Sequence, residues 1–134
     1  MNCLLDTHLL LWAAGADEGG LSADGLSAKA RSLIDDPENV LYFSPASIWE
    51  VAIKGRLGRP DFKADPHVLR RGLLDNGYVE VAITSEHAAA VSALPILHKD
   101  PFDRMLVAQA GVAGITLLTS DDRLTEYPGP IQKV

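Results

Sequence analysis

The chain has one cysteine in 134 residues, so no disulfide can form within it. That suits a reducing compartment, where thiols stay reduced. Cys3 lies in the first apolar run and reads as a small buried hydrophobe. Long apolar runs are also lacking. The opening "MNCLLDTHLLLW" has neither the basic start of a secretory leader nor the roughly 20 apolar residues that span a bilayer. No signal peptide or membrane anchor is therefore expected, and the location is read as cytoplasmic. Positive charge is scarce: 12 Lys and Arg stand against 18 Asp and Glu, a net charge of −6. This argues against broad, non-specific nucleic-acid binding by the whole surface, while leaving a local site open. Aromatic residues make up only 6%, and the alternation of aromatic and basic residues that builds a single-strand stacking platform is absent. No repeat, low-complexity tract or linker divides the chain. With 47% hydrophobic residues, residues 1–134 read as one domain with its own core.

What is present alternates. "NCLL" reads as a buried strand, and "THLLLWAAG" as a helix ending at Gly15. A Gly-rich loop follows, then a helix over "SAKARSLIDD" with Ser27 as N-cap. "VLYFS" is a second strand. Ser44–Pro45, Asp65–Pro66 and Asp100–Pro101 each combine an N-cap with a proline at the first helical position. They start helices at "PASIWEVAIKGRL", "PHVLRRGLLDNG" and "PFDRMLVAQAGVAG". "YVEVAI" and "ITLLTS" are the third and fourth strands, "SEHAAAVSAL" is a helix stopped before Pro95, and "PIQKV" suits a last edge strand. Strands alternating with helices imply an α/β fold with a parallel sheet.

Four acidic motifs sit on this frame: "LLDTH" with Asp6, "SPASIWE" with Glu50, "HKDPFDR" with Asp103 and "LLTSDD" with Asp121. Each acid follows a strand-like run or lies in the first turns of a helix. A parallel sheet gathers those places at one edge, beyond the carboxyl ends of its strands. Four carboxylates in one cleft cannot all remain ionised without cations, and hard divalent ions prefer oxygen ligands. A Mg²⁺ or Mn²⁺ site suited to phosphodiester hydrolysis is the natural reading. Each acid also has a plainer role. Asp6 can cap the helix at Thr7, and Glu50 can pair with Lys54 at i,i+4. Asp103 can favour a helix dipole behind the Asp100 cap, and Asp121 or Asp122 can cap a short turn. The alternative function is therefore a non-catalytic α/β binding module whose acids only cap helices. An aspartyl-phosphate phosphatase would need an acid where His8 stands, and a receiver domain would need paired acids after the first strand.

The strings "LLDTHLLLW", "SPASIWEVAIKGRLG", "HKDPFDRMLVAQA" and "LLTSDDRL", in that order and covering nearly the whole chain, resemble the PIN-domain family. They most resemble VapC-type toxins of toxin–antitoxin pairs. The resemblance implies a single Rossmann-like PIN domain, a parallel sheet of four to five strands flanked by helices. It implies a Mg²⁺- or Mn²⁺-dependent endoribonuclease with an RNA substrate, a cognate antitoxin that binds and inhibits it, and a homodimer. Asp6, Glu50, Asp103 and Asp121 match the family's acidic positions as metal-holding, catalytic residues, with Asp122 beside Asp121. Thr7, Ser44, Ser47, Thr119 and Ser120 are candidates to orient them.

Substrate contact needs local positive charge. Arg104, Lys54 and Lys99 are the candidates, with Arg56 and Arg59 continuing a basic run. His98 reads as a solvated loop histidine. Residues 16–22 and 58–65 are the loops expected to shape substrate choice. Trp12, Leu57 and Phe62 are candidate apolar anchors for the inhibitor.

Overall fold

The computed structural model describes residues 1–14 and 25–134. The expected end of the first helix at Gly15 and the loop at 16–22 lie outside them. Five parallel strands run in the order β3-β2-β1-β4-β5. They are β1 (Asn2–Leu5), β2 (Val40–Phe43), β3 (Val79–Glu80), β4 (Thr116–Thr119) and β5 (Ile131–Lys133). Between them run α1 (Thr7–Ala14), α2 (Ala28–Asp35), α3 (Pro45–Arg56), α4 (Pro66–Asp75), α5 (Ser85–Ala90) and α6 (Pro101–Ala113). The central strand β1 pairs Cys3 with Leu41 on one side and with Thr116 on the other.

Successive side chains of a strand face opposite sides, and the core divides accordingly. Cys3 and Leu5 of β1, with Leu118 of β4, join Leu9, Leu10 and Leu69 from α1 and α4. Leu4 and Leu117 join Leu106, Val107 and Ala110 of α6 on the opposite face. Helix α3 serves both, placing Val51 in the first cluster and Ala46 in the second. A strand covered on both faces has no polar side, which is why "NCLL" reads as a continuous apolar run.

The helix starts follow the expected chemistry. Ser27 Oγ accepts from Ala30 N, Ser44 Oγ from Ala46 N, and Asp65 Oδ1 from His67 N and Val68 N. Two elements are shorter than expected. The third strand, expected over residues 78–83, pairs only through Val79–Glu80 with Tyr42–Phe43. Its partner runs out, because β2 stops where Ser44 and Pro45 turn the chain into α3. Val81 N still reaches Phe43 O, but the Val81 carbonyl accepts from the Gln109 side chain instead of a strand. The helix expected over residues 85–94 closes at Ala90 and tightens into a 3₁₀ turn over Val91–Ala93. Among the described residues no helix is long and apolar enough to cross a membrane.

Candidate active site

Asp6 directly follows β1, and its amide continues the ladder by donating to Leu118 O. Its carboxylate is 5% exposed. Oδ1 caps α1 by accepting from Leu9 N at 3.0 Å, and Oδ2 accepts from Thr119 Oγ1 at 2.6 Å. Burial raises its pKa, against the lowering effect of those two hydrogen bonds. The capping role expected of Asp6 therefore occupies one oxygen and leaves the other on the β4 side.

Glu50 projects from the second turn of α3 and is 3% exposed. Thr7 Oγ1 donates to Oε1 at 2.5 Å and lies 3.0 Å from Ser47 Oγ; Lys54 Nζ donates to Oε2 at 2.6 Å. Read from sequence, the Glu50–Lys54 spacing suggests a surface pair. The structure instead buries it under Phe62 and Phe102, whose ring centroids lie 4.9 and 5.6 Å from Lys54 Nζ. The same ammonium reaches Asp100 Oδ2 at 3.3 Å. Asp100 Oδ1 meanwhile caps α6 through Phe102 N and Asp103 N.

Asp103, in the first turn of α6, has no hydrogen bond or ion pair to its carboxylate among the described residues. It is partly buried and faces the other acids of the cleft. Burial first, then the charges of Asp100, Glu50, Asp6 and Asp121, push its pKa up to about 7. A carboxyl in the first turn of a helix should ordinarily be lowered, so desolvation and like charge win here.

Asp121 follows β4. Its carboxylate takes a fork from Arg123, with Nη2 at 2.8 Å and Nε at 3.2 Å, which holds it below the usual carboxylate range. Asp122 turns away: its side chain is 85% exposed and pairs with Lys133. Asp6, Glu50, Asp100, Asp103 and Asp121 thus line one cleft of about 240 Å³ at the carboxyl edge of the sheet.

The donor set is all oxygen and mutually repelling, which suits a hard divalent cation. As the side chains stand, no three acids among the described residues converge to hold an ion. The reason is visible in the partners: Thr119, Thr7, Lys54 and Arg123 each hold one or more of the acid oxygens. Ligation would turn some of them from these donors.

Of the candidate orienting hydroxyls, Thr7, Ser47 and Thr119 join this network, Ser44 acts as a helix cap, and Ser120 lines the cleft. The candidate cations divide differently from the sequence reading. Lys54 lines the cleft. Arg104 does not; its guanidinium donates to Pro95 O, Val91 O and the Tyr127 hydroxyl, bracing the segment before α6. Lys99 lies instead along a separate groove with Trp49, Phe102 and Met105. Arg59, Arg123 and His8 do line the cleft. The signal for Arg123 was its position two residues after Asp121, where a turn brings the pair together. His8 Nε2 lies 3.3 Å from Asp61 and its ring packs edge-on against Phe62, a contact across 53 residues with no local trace. His98 points to Arg123 O and the Tyr127 ring rather than the cleft. Phe62, a candidate groove residue, is buried in the core and also lines the cleft, and Trp12 packs against that core; Leu57 alone of the trio is strongly exposed.

Residues 3–130 match the PIN domain family, and the chain belongs to that family. No curated protein matches it in sequence. Solved structures share the fold, two of them from VapBC complexes. One is VapBC2 from Rickettsia felis bound to a DNA fragment from its promoter, at 10% identity and a TM-score of 0.69, covering 100% of this chain and 99% of that one. The other is VapBC-1 from nontypeable Haemophilus influenzae, at 17% identity and a TM-score of 0.58, covering 99% and 98%.

Proposed function

We propose that this chain is a metal-dependent endoribonuclease, the toxin of a toxin–antitoxin pair. The observation that carries the reading is the five-carboxylate cleft, in which Asp103 is driven to a pKa of about 7 by burial and its acidic neighbours. PIN domains are generally nucleases, and both similar folds come from VapBC assemblies, which supports a bound antitoxin for this chain too. The helix caps do not compete with this role, because Asp6 and Asp100 each use one oxygen for the cap.

In this reading Asp6, Glu50, Asp103 and Asp121 hold Mg²⁺ or Mn²⁺. When bound, that ion supplies Lewis acidity to a water and to the scissile phosphate. Thr119 and Thr7 hold one oxygen each of Asp6 and Glu50, and orient those carboxylates until an ion draws them round. Arg59 and Arg123 line the cleft, and in this reading they would meet phosphate oxygens flanking the scissile bond. Water adds across the phosphorus–O3′ bond, leaving a 5′-phosphate and a 3′-hydroxyl. No side-chain nucleophile takes part. The antitoxin must close this cleft and quench its negative charge, and a homodimer and a cytoplasmic location complete the reading.

The test compares wild type with Asp103→Asn on a pool of single-stranded RNA, with Mn²⁺ and with EDTA. Wild-type cleavage that needs Mn²⁺, and falls on the order of 10³-fold in the variant, is the expected result. Equal cleavage by the two proteins, or cleavage that persists in EDTA, would exclude it.

A further inference from the structure

Lys54 is held too tightly to serve as a substrate contact. Its ammonium lies 2.6 Å from the buried Glu50 and 3.3 Å from Asp100, and the Lys54 side chain is only 18% exposed. Two phenyl rings, Phe62 and Phe102, face it at 4.9 and 5.6 Å. A cation between a ring pair and two carboxylates is desolvated and strongly retained. Asp6 and Asp103, in contrast, have no cation within ion-pairing distance among the described residues. Within the cleft, Glu50 and Asp100 thus share Lys54 and Asp121 holds Arg123, while the Asp6 and Asp103 carboxylates have no cation in contact among the described residues.

From this placement we propose that Lys54 is a permanent internal cation standing where a second metal ion would otherwise sit between Glu50 and Asp100, so that each chain takes up one divalent ion, on the Asp6–Asp103 side. Lys54 then acts as a positioning residue. It fixes Glu50 beside Thr7, and it never touches the RNA. The inference rests on the metal-dependent reading above, but it concerns how many ions bind, which can be measured without RNA.

The experiment counts Mn²⁺ bound per chain by electron paramagnetic resonance of the free ion. The protein is wild type, Lys54→Met and Lys54→Arg, with no RNA present. The expected counts are one for wild type, two for Lys54→Met with the second site weaker, and one again for Lys54→Arg. In EDTA, Lys54→Met should melt several degrees below wild type, and saturating Mn²⁺ should raise its melting temperature by more than it raises that of wild type. Two ions per wild-type chain would overturn the proposal, and this arm needs no variant to fold. An unchanged count of one in a folded Lys54→Met would overturn it as well. No Mn²⁺ binding by wild type would remove the metal-dependent reading itself. One bound ion without RNA cleavage would remove only the ribonuclease assignment.

Discussion

Asp103 carries the most informative charge in the molecule. Its pKa stands at about 7, raised from 3.8, so the folded chain keeps a proton that the unfolded chain has released. The stability this proton contributes is full below pH 4 or so and is lost as pH rises through about 7. Asn cannot ionise, so Asp103→Asn in EDTA at pH 8 is expected to melt at or above the wild-type temperature. At pH 4 that advantage should vanish. Thermal melts at the two pH values check it, and a variant less stable than wild type at pH 8 would mean the carboxylate is only a dipole partner. The neighbouring pair makes a second test. Asp121 faces the cleft under Arg123, whereas Asp122 is solvated beside Lys133. Asp121→Asn should lower RNA cleavage by about 10²-fold or more, with Asp122→Asn close to wild type. Turnover assays showing the opposite order would place the wrong acid in the site.

At the scale of elements, the cleft exists because helix starts and strand ends meet at one edge. Three Ser-Pro or Asp-Pro starts made α3, α4 and α6 readable residue by residue, since capping is a contact between near neighbours. The third strand was not readable in that way, because its length depends on where its partner β2 ends. The seat of α1 is similar. A Cβ at Gly25 would stand 2.4 Å from Trp12 Cε2, so only glycine lets the chain before α2 pass over that ring. Gly25→Ala should therefore cost about 1–3 kcal/mol, as overpacking does, read by denaturant unfolding. Trp12→Ala should cost at least as much, which makes Trp12 a packing residue before it is an inhibitor anchor. A fully stable Trp12→Ala would reverse that order.

The whole molecule is acidic, with a net charge of −6, and five of its 18 acidic residues line one cleft. A ligand that binds only the folded state adds stability in proportion to the logarithm of its concentration over Kd, about 2.7 kcal/mol at one hundred times Kd. Mn²⁺ at millimolar levels should accordingly raise the wild-type melting temperature, and Asp103→Asn should gain much less. A binding module whose acids only cap helices would show no shift in either protein. Unlike the cleft, the second groove is apolar, with Trp49 60% exposed above Phe102.

The order of strands and helices and the caps were legible in the linear chain, and so were the four acidic strings that the fold brings to one cleft. Hydrophobic period, proline starts and short acidic strings are local features that act within a turn or a strand. The PIN resemblance rested on the same strings. What the linear chain could not contain was the partnership of each acid. Thr119 meets Asp6 across 113 residues, and Lys54 meets Asp100 across 46. Arg104 was drawn to backbone carbonyls rather than to the Asp103 beside it in sequence, and Lys99 to an apolar groove. Sequence neighbours on a helix point about 100° apart, so adjacency says little about which side chain enters a cleft. Packing of the helices against both faces of the sheet made that choice, and with it decided which cations neutralise the site and which merely brace it.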